Sequence, residues 1–319
     1  MEKQRKWDLS LQERKEAEMI SLLRQAGFSR RRFDAFDEYA LFDQNRAFLK
    51  KDHMLTFTDA HGKLHALRPD VTLSVMKQTA YRPADLYRIY YQENVFRFSN
   101  KTHQYGLHRQ IGAEEISPEG MSDGFEVLEL ARHILALLGS SSVLVLSHMG
   151  FLLSNQWYLD QTEAEQEQII SYIAQKNPHD LKKYLTQLRC PEAVSRGLLA
   201  ATRLSGKPDT VLEEIRSEHW GKELEQAAEE VCALVQRFPA ATAIEEKMPT
   251  VLLDFSLVNP LSYYNGIIFQ GFVKPCSQYV LSGGRYDKLA MRFMSWPCRA
   301  IGFAVELNVL EELWQQERT

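Results

Sequence analysis

The chain begins with an amphipathic pattern that is typical of a helix. Between Ala17 and Ala26 the apolar residues recur on one face at helical spacing. Ser10 and Glu13 have the spacing of a capping box, and Gly27 follows the last apolar residue. We therefore predict a first helix over residues 11–26.

Hydrophobic alternation of the kind found in sheets follows this helix. Residues 54–67 alternate around a turn signal that contains glycine, which predicts a hairpin. A short helical pattern covers residues 71–79. Residues 86–98 and 106–116 are rich in Tyr, Ile, Val and Phe and predict two successive strands, the first with a polar break over 92–94.

A second amphipathic helix is predicted before the middle of the chain. Asp123 and Glu126 repeat the capping-box spacing ahead of an apolar helical pattern that ends at Gly139. Residues 142–146 then form an apolar run that is typical of a buried strand.

The pattern changes between residues 160 and 247. Helical stretches there are interrupted by prolines and a glycine, and strand-like runs disappear. We predict that 160–247 is a helical insertion in a main domain formed by 1–159 and 248–319.

Strand patterns return after the insertion, in residues 250–258, 263–273 and 277–284, and a helical pattern closes the chain. Strands and helices are interspersed without a regular alternation of the two. The sequence therefore predicts an α+β fold with a mixed or antiparallel sheet rather than a doubly wound one.

Composition narrows the class of protein. The 319 residues are 45% hydrophobic and 25% charged, with a formal net charge of −4, which is ordinary for a soluble protein. No apolar run reaches the roughly 20 residues that span a bilayer, and no signal-peptide pattern opens the chain. We expect a cytoplasmic protein with no membrane partner.

Neither a metal nor a cofactor is expected. The four cysteines are scattered without a Cys-x-x-Cys pair, and no histidines have a convincing metal-ligand spacing. The predicted insertion has more acidic than basic residues, which argues against a nucleic-acid partner.

Six short motifs resemble those of the histidyl-tRNA synthetases, in the same order along the chain. They are Leu67-Arg68-Pro69-Asp70-Val71-Thr72, Val95-Phe96-Arg97, Gln110-Ile111-Gly112-Ala113-Glu114, Tyr263-Tyr264-Asn265-Gly266, Gly283-Gly284-Arg285-Tyr286-Asp287 and Gly302-Phe303-Ala304. The resemblance implies a class II aminoacyl-tRNA synthetase-like antiparallel sheet of six or seven strands, flanked by helices, with an amino acid bound on the sheet face.

The sequence departs from this family where the family holds ATP. Glu306 replaces the second glycine of motif 3, and Val309 replaces the arginine that stacks on adenine and bonds phosphate. The motif 2 loop, residues 99–107, has Lys101 as its one fixed cation, and residues 259–262 lack an arginine. Such cations supply most of the rate in adenylate formation, so the resemblance implies a protein that is not an enzyme and has no catalytic residues.

The residues that resemble a histidine-binding site are retained. They are Asp70, Thr72, Arg97, Gln110, Glu114, Tyr263 and Tyr264. By the resemblance, the two acids would bond the α-ammonium or the imidazole, and the threonine and glutamine would add neutral hydrogen bonds. The arginine would meet the carboxylate and the tyrosines would wall the imidazole.

This combination resembles the regulatory subunits of ATP phosphoribosyltransferase in histidine biosynthesis. The resemblance implies a short-form ATP phosphoribosyltransferase catalytic subunit as the partner, required for the first pathway step, with histidine as a feedback effector. It also implies a hexameric-or-larger hetero-oligomer containing a homodimer of this chain, although Asp34 stands where the family's motif 1 has a proline.

Each motif also has a plainer interpretation. Asp70 is placed to cap the helix that follows it, a pair such as Tyr263-Tyr264 is more often core than pocket, and Gly283-Gly284 more often marks a turn. Gln110 and Glu114 share a strand face that could simply be exposed. Two other functions stay open: an amino-acid-activating ligase with a non-tRNA acceptor, and a tRNA binder.

Overall fold

A computed structural model describes residues 10–46, 49, 54–99, 102–218, 220–238, 248–258 and 263–316. The helices in these ranges are α1 (Leu11–Gln25), α2 (Tyr39–Asp43), α3 (Thr72–Thr79), α4 (Phe125–Leu138), α5 (Gly150–Leu153), α6 (Gln156–Leu159), α7 (Glu163–Ala174), α8 (Pro178–Gln187), α9 (Glu192–Ala201), α10 (Pro208–Glu218), α11 (Lys222–Val235), α12 (Asp287–Phe293) and α13 (Leu307–Gln316). The strands are β1 (Ser29–Arg30), β2 (Phe36–Glu38), β3 (Thr56–Thr58), β4 (Leu64–Leu67), β5 (Tyr87–Ser99), β6 (Gln104–Pro118), β7 (Ser142–His148), β8 (Ser205–Gly206), β9 (Thr250–Asp254), β10 (Ile267–Val273), β11 (Leu281–Arg285) and β12 (Cys298–Glu306).

The main sheet has the strand order β1-β5-β6-β12-β11-β10-β7-β9-β8. Every neighbouring pair from β5 to β7 is antiparallel, whereas β1 pairs with β5, and β7 with β9, in parallel. This mixed, mainly antiparallel sheet flanked by helices confirms the predicted α+β class. A smaller sheet, in the order β2-β4-β3, contains the predicted hairpin, in which Thr58 pairs with Leu64.

Helix α1 begins as the sequence predicts. The Ser10 hydroxyl accepts a hydrogen bond from the Glu13 backbone N–H at 3.2 Å, and the Glu13 carboxylate accepts one from the Ser10 backbone N–H at 2.7 Å. This reciprocal pair satisfies two backbone donors that a helix start otherwise leaves open. The helix packs against α4, which in turn packs against β7 and β10.

The capping box predicted for α4 is wrong. Gly124 occupies the N-cap position with φ +81° and has no side chain with which to cap the helix. A Cβ on this glycine would lie 2.9 Å from Ile301, and the backbone conformation is itself one that favours glycine. The Asp123 carboxylate instead accepts a hydrogen bond from the Phe125 backbone N–H at 3.1 Å.

The polar break predicted in the first long strand is also wrong, because β5 is continuous through residues 92–94. The polar side chains there have partners on other elements. Gln92 donates to the Glu16 carboxylate at 2.7 Å, and Glu93 accepts from the buried Arg68 guanidinium at 2.6 Å. Partners of this kind remove the cost of placing polar groups in a half-buried strand.

Residues 160–247 are mainly helical where the structure describes them. Helices α7 to α11 lie in this range, together with the two-residue strand β8, which the sequence pattern did not indicate. Strand β8 pairs with β9, and α11 packs against α5 and β7. The division into 1–159 with 248–319 and a separate 160–247 stays a prediction.

None of the helices in the described ranges combines the length and the apolar composition that crossing a bilayer requires.

Candidate functional site

A cavity of about 200 Å³ lies over one face of the main sheet. All of the predicted site residues line it: Asp70, Thr72, Arg97, Gln110, Glu114, Tyr263 and Tyr264. They come from the start of α3, from β5 and β6, and from the segment before β10. The structure therefore brings together residues that lie almost 200 positions apart in the chain.

Strand register explains why these side chains share one cavity. On β6, Gln110 and Glu114 are an even number of residues apart, so both side chains project from the same face. Their partners on β12 are Glu306 opposite Gln110 and Gly302 opposite Glu114. Because β12 follows the same alternation, it contributes Glu306 to the cavity, a position that the sequence identified only as a lost glycine.

Glu114 is the most deeply buried acid of the cavity, with 2% of its surface exposed. Its carboxylate accepts hydrogen bonds from the Thr72 hydroxyl at 3.0 Å and from the Tyr286 hydroxyl at 2.7 Å. Burial raises the pKa of Glu114 to about 8; the Asp70 charge acts in the same direction, and the hydrogen bond from Tyr286 acts against it. The surroundings of Glu114 therefore favour the protonated form of its carboxyl group.

Gly302 makes room for this carboxyl group. A Cβ at position 302 would lie 1.7 Å from Glu114 Oε2 and 2.6 Å from the backbone oxygen of Ala113. No side chain fits there while Glu114 keeps its position. In this chain the first glycine of motif 3 is therefore needed to accommodate Glu114, whether or not a nucleotide binds.

Arg97 and Glu306 form an ion pair in the cavity. Arg97 Nη1 lies 3.0 Å from Glu306 Oε1, and the same oxygen accepts a hydrogen bond from the Gln110 amide at 2.6 Å. Arg97 also donates from Nε to the Pro69 carbonyl at 3.2 Å. Burial lowers the pKa of Arg97, but the Glu306 and Asp70 charges outweigh it and the net shift is upward.

Asp70 is both a cavity residue and a weak helix contact. Its Oδ1 accepts a hydrogen bond from the Leu73 backbone N–H at 3.4 Å, although Val71 occupies the N-cap position of α3. Burial raises the pKa of Asp70, and the Arg97 charge opposes this shift. Asp70 therefore both contacts the first turn of α3 and lines the cavity.

The tyrosine pair forms an aromatic wall. The rings of Tyr263 and Tyr264 lie 4.4 Å apart between centroids, with Tyr286 edge-on to Tyr263 at 6.1 Å. Burial raises the pKa of both Tyr263 and Tyr286 well above the ordinary value, so the hydroxyls stay neutral donors. The two tyrosines are buried and line the cavity at once, so core and pocket are not alternatives here.

Gly283 and Gly284 lie inside β11 and do not form a turn. Gly283 pairs with Phe303 of β12, and Gly284 pairs with Gly302. The plainer interpretation of this glycine pair as a turn is therefore wrong. Two glycines within one strand reflect close packing of neighbouring groups above it.

Two of the features that distinguish this chain from a synthetase lie within the described residues. Val309, at the position of the motif 3 arginine, is on α13 and packs against the core. Strands β5 and β6 pair as far as Ser99 and Gln104, so few residues remain for a motif 2 loop. Lys101 and residues 259–262, which the sequence comparison singled out, lie outside the described residues.

Sequence reasoning missed several lining residues. They are Tyr91, Gln270, Tyr279, Ser282, Tyr286 and Glu306. Tyr286 lies inside a quoted motif and Tyr91 inside a predicted strand, so strand alternation alone could have placed Tyr91. Within the residues that the structure describes, no group of three or more His, Cys, Asp or Glu is arranged to hold a metal ion.

Comparison with known proteins gives consistent results. The family model for histidyl-tRNA synthetase matches residues 8–310. An ATP phosphoribosyltransferase regulatory subunit from Alkaliphilus metalliredigens is 30% identical over 295 residues, covering 88% of this chain and 72% of the relative.

Two solved structures share the fold. An ATP phosphoribosyltransferase regulatory subunit/histidyl-tRNA synthetase from Bacillus halodurans C superposes with a TM-score of 0.77 and 24% identity over 94% of this chain and 78% of that one. A chain of an ATP phosphoribosyl transferase (HisG:HisZ) complex from Thermotoga maritima superposes with a TM-score of 0.67 and 18% identity over 92% and 96% of the two chains. The chain described here therefore belongs to the histidyl-tRNA synthetase family and, within it, to the ATP phosphoribosyltransferase regulatory subunits.

Proposed function

We propose that this chain is a non-catalytic regulatory subunit of ATP phosphoribosyltransferase in the cytoplasm, and that histidine bound in the cavity lowers the activity of the catalytic subunit. The observation that carries the proposal is the cavity itself, which all seven of the predicted amino-acid-binding residues line. By the resemblance, Glu306 and Val309 stand where a synthetase has residues that hold the nucleotide. The names of the relatives support the regulatory role.

The charges of the cavity argue against ATP chemistry. Asp70, Glu114 and Glu306 line it, and Arg97 is the cation among its described lining residues. That cation is paired with Glu306. A triphosphate would bring further negative charge next to a carboxylate with no free cation to stabilise it, and charge stabilisation supplies most of the catalysis in phosphoryl chemistry.

A histidine molecule has complementary groups. Its imidazole would lie against Tyr263 and Tyr264, with Glu114 as the hydrogen-bond partner at its edge. Its α-ammonium would approach Asp70, where burial raises the pKa of the carboxyl group and a cation would stabilise the charged form. Thr72 supports this arrangement indirectly, because its hydroxyl already donates to Glu114.

Feedback inhibition requires a second state. A ligand shifts an equilibrium only when its affinity differs between two states, and allosteric coupling is usually about 1–3 kcal/mol. We propose that the catalytic subunit, of the short form, assembles with this chain into a hexameric-or-larger complex that contains a homodimer of it. The complex would be required for the first step of histidine biosynthesis, and the histidine-bound cavity would favour its less active arrangement.

Reconstitution tests this function. The purified chain is added to a short-form ATP phosphoribosyltransferase catalytic subunit, and activity is measured with and without histidine. We expect the two proteins to copurify, the chain to raise the activity, and histidine to lower it again. An unchanged activity and separate elution on size exclusion would refute the proposed partnership.

Pyrophosphate exchange tests the competing ligase function. Robust histidine-dependent exchange between ATP and labelled pyrophosphate by the chain alone would show that it activates an amino acid. We expect exchange at the background level, because no arginine stands at position 309.

A further inference from the structure

Two carboxyl groups of the cavity, those of Asp70 and Glu114, have Thr72 as a common neighbour. The Thr72 hydroxyl donates to Glu114 at 3.0 Å. Burial raises the pKa of Asp70, and hydrogen bonds from Thr72 are among the contacts that oppose this shift. Burial also raises the pKa of Glu114, and the Asp70 charge raises it further. Asp70 and Glu114 therefore form an acid pair, in which the charge of one group affects the other.

The cavity does not balance two further negative charges. Asp70, Glu114 and Glu306 line it, and Arg97 is the cation among its described lining residues. Arg97 Nη1 lies 3.0 Å from Glu306 Oε1, so this cation already has a carboxylate partner. Two ionised carboxylates that share a buried site repel each other. Without a ligand, the acid pair is therefore more stable with a proton than without one.

The tyrosines and the histidine around the acid pair stay neutral near pH 7. Burial raises the pKa of each tyrosine that lines the cavity, namely Tyr91, Tyr263, Tyr264, Tyr279 and Tyr286. Burial lowers the pKa of His108, which lies near Arg97 and Glu306. Since Arg97 and Glu306 are bound to each other, the acid pair is the group whose proton a ligand can change.

A ligand can reach the acid pair through Asp70. This residue is half-buried and lines the cavity, whereas Glu114 is 2% exposed. An ammonium group next to Asp70 brings a positive charge close to both carboxyl groups and favours their ionised forms. The ligand does not need to contact Glu114 directly to have this effect.

We propose that the acid pair of Asp70 and Glu114 holds a proton in the empty cavity and releases it to solvent when the ammonium group of an amino acid binds at Asp70. The O–H bond of one carboxyl group breaks, the proton passes to water or buffer, and the ligand keeps its positive charge. Binding is therefore coupled to the release of one proton and strengthens as the pH rises. This inference rests on the proposed binding of histidine in the cavity, and it adds the pH dependence of that regulation.

Two ligands separate the proton of the protein from the protons of the ligand. Histidine has an imidazole that can take up a proton on binding and so hide the release. Triazolylalanine has the same ammonium and carboxylate groups on a 1,2,4-triazole ring that stays neutral near pH 7. Calorimetric titration of the full chain in phosphate and in Tris, which differ in ionisation enthalpy, counts the protons released. We expect about one proton for triazolylalanine, and a dissociation constant that falls about tenfold per pH unit near pH 7.

Variants assign the proton to the acid pair. Glu114→Gln removes one acid and the repulsion between the two, so it should release fewer protons than the wild type and bind triazolylalanine with a weaker pH dependence. Glu119→Gln is the matched control, since this side chain is 67% exposed and does not line the cavity, and it should release as many protons as the wild type. Thermal unfolding verifies that each variant is folded, and the proton count of the wild type does not depend on the variants.

The outcomes distinguish this inference from the proposed function. A release near zero for triazolylalanine with the wild type, or an equal release with Glu114→Gln, would overturn the acid pair as the proton source and leave histidine feedback untouched. The expected release together with an ATP phosphoribosyltransferase activity that ignores histidine would support the proton coupling and overturn the feedback role. A failure of both ligands to bind the chain, alone and with the catalytic subunit, would overturn both.

Discussion

Glu114 gives the protein a pH-dependent stability that a single substitution should remove. Burial raises the pKa of this carboxyl group from 4.5 to about 8 in the folded state. In the unfolded chain the group is exposed and titrates near its ordinary pKa. Between these two pH values the folded protein holds one proton more than the unfolded chain.

The sign and size of the effect follow from this difference in bound protons. Because the folded state binds more protons, its stability falls as the pH rises, by about 1.4 kcal/mol per pH unit. The loss begins near the unfolded pKa and ends near the folded one. Between pH 5 and pH 8 it amounts to on the order of 3 to 4 kcal/mol. Glu114→Gln keeps a neutral side chain of the same shape and has no proton to release.

Urea unfolding at several pH values measures this effect. The free energy of unfolding of the wild type should fall relative to that of Glu114→Gln at each step from pH 5 to pH 8, until the variant is clearly the more stable protein. Glu119→Gln, with its exposed side chain, should give a curve parallel to the wild type. A constant difference between wild type and Glu114→Gln across this range would show that Glu114 titrates normally in the folded protein.

Three further substitutions test separate parts of the structure. Gly302→Ala should destabilise the protein by about 1–3 kcal/mol and weaken histidine binding, because its Cβ would lie 1.7 Å from Glu114 Oε2; calorimetry showing unchanged affinity would contradict this. Tyr286→Phe removes the 2.7 Å hydrogen bond that lowers the pKa of Glu114, so the fall in stability should continue to a higher pH before it levels off, and an unchanged upper limit would disprove the role of the hydroxyl. Ser10→Ala should cost about 1 kcal/mol in urea unfolding by removing a helix cap, and any comparable loss of histidine affinity would be unexpected.

Most of the candidate site was predictable because it depends on local patterns. The alternation of residues 106–116 places Gln110 and Glu114 on one strand face, and the family resemblance assigned Tyr263 and Tyr264 to the same site; all four line the cavity. The two-residue period of a strand can be recognised from the local sequence alone. The same reasoning identified α1, because its capping box spans only the four residues from Ser10 to Glu13.

The errors arose where a partner lies far away in the chain. In the sequence, Glu306 is visible only as the replacement of a glycine. The contact that defines its place in the cavity is the ion pair with Arg97, which is 209 positions away. The polar residues at 92 and 93 read as a strand break because Glu16 and Arg68, which bind them, belong to other elements. Such tertiary pairs override local preferences and are not visible in any short window.

The most direct test of the proposed function is the histidine concentration that halves the activity of the reconstituted ATP phosphoribosyltransferase, compared between wild type and Glu114→Ala. Removing Glu114 deletes the acceptor of the Thr72 and Tyr286 hydrogen bonds in the wall of the cavity. We predict that the inhibitory concentration rises about tenfold or more, the effect of losing one strong hydrogen-bonding group. Equal inhibitory concentrations for the two complexes would contradict the account, because histidine would then act at a site outside this cavity.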